Sequence, residues 1–162
     1  MTESILQIFY ASMGTLGFAL FFSVRSRHLL MATLGGTLSW SCYLVVMALD
    51  GRVFISALIA AIAICFWSEL MARLRKAPAN VFLMPGIVPL LPGGSLYYTM
   101  NALVQGDVEE FTNRGLETAL IALGIAVGIV IATEIVRLMM SISRRRRKAK
   151  QKRRERKQSE SI

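Results

Sequence analysis

Five stretches of this chain run for about twenty residues or more with hardly a charge, each long enough to cross a lipid bilayer. Between Glu3 and Arg25 lie 21 uncharged residues, and residues 29–49 form a second run with His28 at its edge. Residues 53–72 form a third, carrying Glu69 near its end, and 30 uncharged residues separate Lys76 from Asp107. Residues 116–140 close the set with Glu117, Glu134 and Arg137. A hydrocarbon core about 30 Å thick is crossed by roughly 20 helical residues. Inside it no water is present to bond the backbone, so each crossing segment has to satisfy its own N–H and C=O groups. The sequence therefore predicts an all-α integral membrane protein with five transmembrane helices.

The net charge lies outside these runs. Residues 141–162 hold eleven Lys/Arg against two Glu and so carry the whole formal charge of +9, whereas residues 1–140 balance eight basic against eight acidic side chains. That distribution excludes a globular nucleic-acid binder with charge spread over one folded face. It divides the chain into a five-span membrane domain, 1–140, and a polybasic tail, 141–162. Arg25, Arg27 and His28 follow the first run, Asp50-Gly51-Arg52 the second, and Arg73, Arg75 and Lys76 the third. Asp107, Glu109, Glu110 and Arg114 follow the fourth, and the tail follows the fifth. Basic loops thus alternate with neutral or acidic ones. The excess of Lys/Arg marks the cytoplasmic side, which predicts the N-terminus out, the C-terminus in and a multi-pass protein of the cell (inner or plasma) membrane. The first run has Glu3 ahead of it instead of a basic segment, and reads as a retained helix, not a secretory signal. The tail is expected to touch anionic lipids, at about 1 kcal/mol per basic residue near the surface. No aromatics interleave it, so no nucleic-acid partner is expected. It reads either as disordered or as a frayed continuation of the fifth helix.

The fourth run is the unusual one. All four prolines, Pro78, Pro85, Pro89 and Pro92, fall within fifteen residues, and Gly86, Gly93 and Gly94 stand beside them. Each internal proline deletes a donor and clashes with the carbonyl four residues back, so a helix interrupted by Pro/Gly is predicted here. Non-helical backbone at membrane depth persists where protein or a water-filled cavity supplies partners, and transporters use such breaks to present carbonyls and half-helix ends to solutes and ions. A kinked helix packed for shape is the plainer alternative. Ser95, Tyr97, Tyr98, Thr99 and Asn101 follow the break and could line a polar path; the tyrosines also suit an interfacial belt.

The segment Glu69-Leu-Met-Ala-Arg73, Lys76-Ala-Pro78-Ala and Phe82-Leu-Met-Pro85-Gly86-Ile-Val-Pro89-Leu-Leu-Pro92-Gly93-Gly-Ser-Leu-Tyr97-Tyr98 resembles the threonine/serine exporter family. It is similar to the short, single-unit member of the family's split form, in which a small membrane protein works beside a larger one. The resemblance extends over residues 5–140, with its specific motif at 69–101, and leaves out the tail. It implies export of small amino acids or short carboxylates driven by an ion gradient, together with a larger membrane subunit. A self-sufficient homo-oligomeric transporter and a membrane scaffold with a lipid-binding tail are the alternatives.

On this reading Pro85, Gly86, Pro89, Pro92, Gly93, Tyr97, Asn101 and Glu69 are the candidates for a substrate or ion path. Glu69 stands four residues before Arg73, a spacing that also makes an ordinary helical ion pair; Glu134 and Arg137 are three apart and read as structural. Gly124 and Gly128 form a Gly-x-x-x-Gly face for close helix packing, and with other small faces they suggest a bundle with surfaces left for a partner. Cys42 and Cys65 read as small buried side chains. A single histidine and no cysteine–histidine cluster give no metal site by local spacing, and no cofactor is expected. No nucleophile set or phosphate loop is present either, so an enzyme is not expected.

Overall fold

Uncharged runs of this length can pair their backbone groups internally only as helix, and the chain is helical nearly throughout. The computed structural model describes residues 2–159, with side chains from Glu3 to Ser141. Its elements are α1 (Thr2–Phe21), α2 (Ser26–Asp50), α3 (Val53–Arg75), α4 (Asn80–Ile87), a 3-10 turn (Val88–Leu90), α5 (Gly93–Gln105) and α6 (Val108–Ser159). There is no strand among the described residues. Helices α1, α2, α3 and α6 are long and apolar enough to cross a membrane. Asn80–Leu90 and Gly93–Gln105, bent by 45° at the break, make a fifth crossing if counted as one span.

Local chemistry sets the turns. Gly51, in the left-handed region at φ 67°, ends α2 with its N–H on the Met47 carbonyl at 3.0 Å, a conformation that glycine adopts without a Cβ penalty. The α1–α2 and α3–α4 turns instead place Ser23 (φ 55°) and Lys76 (φ 50°) in that region. Pro78 follows Lys76 and cannot continue α3 in register.

Helix α3 is the centre of the bundle, packed between α2 and α6 and against α4. Its buried face is small: Ala57, Ala60, Ala61 and Ile64 meet Leu90, Ile121 and Ile125. A second cluster joins Ala19, Ala32, Met71 and Phe82 near the α1–α2 turn. Large apolar side chains such as Ile5, Phe9, Phe21, Leu49 and Leu74 point outward instead. Lipid tails are as apolar as leucine, so association here rests on close packing of small residues and on interhelical hydrogen bonds. The Gly-x-x-x-Gly face expected to pack closely on another helix, Gly124 and Gly128, meets α3. A Cβ on Gly124 would stand 2.6 Å from the Phe54 carbonyl, and one on Gly128 2.6 Å from the Leu58 carbonyl, both on α3. Trp67 adds a polar tie, its Nε1–H donating to the Met31 carbonyl of α2 at 3.0 Å.

Helix α6 has 52 residues and so measures about 78 Å at 1.5 Å per residue, more than twice the hydrocarbon thickness. Its backbone carries the basic tail onward as helix to Ser159. The lipid contacts expected of that tail lie outside the described side chains.

Candidate functional site

One site candidate in α4, Gly86, is held by a polar group of α2. Pro85 sits inside α4 and gives no N–H to the Val81 carbonyl. After Ile87 the chain tightens to the 3-10 turn and then opens at Leu91 (φ −62°, ψ 131°) before α5 starts after Pro92. Short bonds close the break: Leu91 N–H to the Val88 carbonyl at 3.1 Å, Gly93 N–H to the Leu91 carbonyl at 2.7 Å, and Leu96 N–H to the Pro92 carbonyl at 2.9 Å. The Gly86 carbonyl accepts from the hydroxyl of Ser39, 47 residues away in sequence, at 2.8 Å. That hydroxyl also lies 2.9 Å from the Gly36 carbonyl, so one proton is shared between two helices. Ser39 is fully buried. Gly86 is required by close approach: a Cβ there would run into the end of Ile64, with the Gly35 carbonyl carbon 3.6 Å away. Ser39→Ala is expected to lower stability by about 1 kcal/mol, the usual worth of one interhelical hydrogen bond. Denaturation of the purified protein in mixed detergent micelles checks this.

Pro85, Gly86 and Leu90 are buried in this central cluster. Pro89 lines an open groove of about 240 Å³ with Gln7, Tyr10, Ala11 and Trp40. The indole N–H of Trp40 is buried with no hydrogen-bond partner among the described residues. Neither Ser39 nor Trp40 was legible as a site residue. Both sit in an apolar helix with nothing local to mark them, and only the packing of α2 on the broken segment reveals them.

The remaining candidates are spread along the bundle. Pro92 and Gly93 stand at the bend, partly and fully exposed. Tyr97 is 67% exposed and Asn101 also faces outward. Helix α5 rests on α6. There the Tyr98 ring meets the Arg114 guanidinium at 5.8 Å, and Thr99 Oγ1 lies 3.4 Å from Thr118 Oγ1. Glu69 is at the other end. It pairs with Arg73 at 3.2 Å, as the four-residue spacing allows, while its side chain stays 23% exposed. It also lines a cavity of about 140 Å³ with Cys65, Ser68, Asn80 and Thr133. Thr118 and Thr133 are fifteen residues apart on α6, or about 22 Å. Glu69 therefore does not meet Tyr97 or Asn101. Glu134 and Arg137 pair at 3.0 Å on the surface, both more than half exposed, where such a pair contributes about 0–1 kcal/mol.

A cavity of about 490 Å³ lies where the α1–α2 and α3–α4 turns meet, with Arg25, Arg27, His28, Lys76, Asn80 and Pro85 in its lining. In the sequence its cations served only to orient the chain in the membrane.

Residues 7–135 match the family described as Threonine/Serine exporter, ThrE. The match takes in the first five helices, the break and Glu69, and it stops within α6 ahead of the basic tail. No curated protein and no solved structure matches the chain.

Proposed function

The chain belongs to the threonine/serine exporter family, and on that premise we propose that it is the small subunit of a secondary transporter acting with a larger membrane partner. Its cargo is a small amino acid of the threonine/serine type or a short carboxylate. The observation that carries the reading is the broken segment. Residues 80–105 form two helical pieces bent by 45° at a Pro/Gly break, and the Gly86 carbonyl is held by a side chain of another helix. Such a break exposes carbonyls and half-helix ends at membrane depth, where solutes and ions are bound.

In this proposal α4 and α5 together make the fourth, interrupted crossing and α6 the fifth, with the N-terminus out and the C-terminus in. The turns bearing Arg25, Arg27, Arg75 and Lys76 then face the cytoplasm. Pro85, Gly86, Pro89, Pro92 and Gly93 form the central element, Glu69 serves ion coupling near the inner end, and Tyr97 and Asn101 line the outer end. The outward exposure of Tyr97 and Asn101 supports the partner: a path along α5 needs its opposite wall from another chain. A homo-oligomer supplies that wall equally well and is the second reading.

Copurification from native membranes in mild detergent, with the mass of the complex read directly, separates the two. A larger membrane protein in fixed ratio is expected; only copies of this chain would make it a self-contained oligomer. Glu69→Gln keeps the size of the side chain and removes its charge. It is expected to reduce export sharply at unchanged membrane insertion, and export at the wild-type rate would leave Glu69 as an interfacial ion pair with Arg73.

A further inference from the structure

The 490 Å³ cavity at the α1–α2 and α3–α4 turns is built for an anion. Arg25, Arg27 and Lys76 line it, and all three side chains are exposed. Among the described residues no carboxylate lines it, and none forms an ion pair with these three. The N-termini of α2 and α4 both open onto it, through Arg25 and Arg27 on one side and Asn80 and Val81 on the other. Neither N-terminus has a side-chain cap; the N–H groups of His28, Val81 and Phe82 bond the Arg25, Pro78 and Ala79 carbonyls, so what both helices offer an incoming negative group is the positive pole of the helix dipole.

His28 gives the independent observation. It lines the cavity, yet its side chain is 96% buried, being 4% exposed. Its Nε2 accepts a hydrogen bond from Arg27 Nε at 2.9 Å, which in the neutral ring leaves the proton on Nδ1. That Nδ1 is buried and has no partner among the described residues. Phe82 packs edge-on against the ring, with centroids 5.5 Å apart, and holds it in place. A buried donor without an acceptor is costly, and a small turn of the ring toward the cavity would bring it to an anionic oxygen there.

We propose that this cavity is the inner vestibule of the transport path and binds the carboxylate group of the exported solute, through Arg25, Arg27, Lys76 and the Nδ1–H of His28. The inference rests on the exporter reading and assigns to it a recognition site. The volume falls within the range of about 300–1,000 Å³ usual for small-molecule pockets. Asn80 lines both this cavity and the smaller one that contains Glu69, so one residue borders the two. Pro85 lines the vestibule too, which joins it to the broken segment.

The test uses the full chain in nanodiscs of neutral phosphatidylcholine, together with its partner if one copurifies. Binding is read as the rise in unfolding temperature on titration. The probes are L-threonine and malonate, each against its amide, L-threoninamide and malonamide. At least one acid is expected to stabilise the protein while its amide does not. Arg27→Gln/Lys76→Gln removes two exposed charges, and with Arg27 the bond to His28 Nε2, and is expected to raise the apparent Kd at least about tenfold, the usual effect of losing charge-assisted hydrogen bonds. His28→Phe is expected to weaken binding in the same direction, and Arg52→Gln, at the opposite turn, to leave it unchanged. Equal binding of acid and amide, or wild-type affinity in the double variant, overturns the proposal. So does stabilisation only by discs containing phosphatidylglycerol, because the anion would then be a lipid headgroup. Failure of the exporter reading is separable. If the wild-type chain with its partner exports neither solute, that reading falls; if it exports while the double variant does so with unchanged KM, only the vestibule falls.

Discussion

Gly124→Leu and Gly128→Leu will each abolish the folded bundle, and even alanine at these positions will destabilise it by about 1–3 kcal/mol, the usual effect of overpacking a tight contact. The reason lies in what the missing side chains would meet. A Cβ on Gly128 would be 2.6 Å from the Leu58 carbonyl oxygen and 2.9 Å from the Ala61 Cβ; one on Gly124 would be 2.6 Å from the Phe54 carbonyl and 3.1 Å from the Ala57 Cβ. Backbone atoms and alanine methyls have no rotamer to retreat into, so α3 and α6 have to move apart along their whole contact. Ile121 and Ile125 would then lose their seat on Ala57, Ala60 and Ala61. Gly17 is the matched control: nothing lies within 4 Å of a Cβ there, so alanine has only its helix propensity to express, a gain of up to about 1 kcal/mol. Unfolding in mixed detergent micelles, followed by Trp40 and Trp67 fluorescence, checks both. Wild-type stability in the Gly124/Gly128 alanine pair would mean that α3 and α6 do not approach this closely.

The second large effect is on function. Pro89→Ala/Pro92→Ala is expected to leave a protein that inserts and folds but reduces export to the background of cells lacking it. Alanine returns two N–H donors and relieves two steric clashes, so the backbone regains its ordinary bonding to residues four back. Residues 80–105 can then run as one helix of about 39 Å. The 45° bend and the open backbone at Leu91 would both disappear. Single replacements are weaker tests, since the other proline and the Gly86–Ser39 bond keep the break in place. Export by cells producing the double variant, with the amount inserted measured separately, gives the answer. Undiminished export would remove the break from the transport path and favour a packing or scaffold role for this segment.

Much of this was readable from residue order alone. A charge is so costly in hydrocarbon that the uncharged runs outline the helices closely. The run between Glu3 and Arg25 became α1, 29–49 became α2 at 26–50, and 53–72 became α3 at 53–75. The fourth run became α4, the 3-10 turn and α5, because proline acts on its own backbone and needs no tertiary partner to do so. The resemblance carried by residues 69–101 led to the same family as the match over residues 7–135.

The sites were less legible. Pro85 and Gly86 stood among the candidates and Gly35 and Gly36 among the small faces, but nothing marked Ser39 as the group that bonds Gly86 or Gly35 as the surface beside it. Tyr97 and Asn101 lie toward one end of the bundle and Glu69 toward the other, so these candidates do not form one cluster. The physical reason is the solvent. In a soluble helix, water selects the polar face and the apolar face marks the contact; a helix in lipid is apolar on every side, so its sequence does not say which side meets protein. The sequence by itself determined where the long apolar helices run and where the charges gather. Only the tertiary structure decided that α3 is the helix Gly124 and Gly128 meet, that Ser39 bonds Gly86, and that two basic turns close around one cavity with His28 at its wall. Those outcomes depend on contacts of about 3 Å between residues tens of positions apart, which local sequence cannot specify.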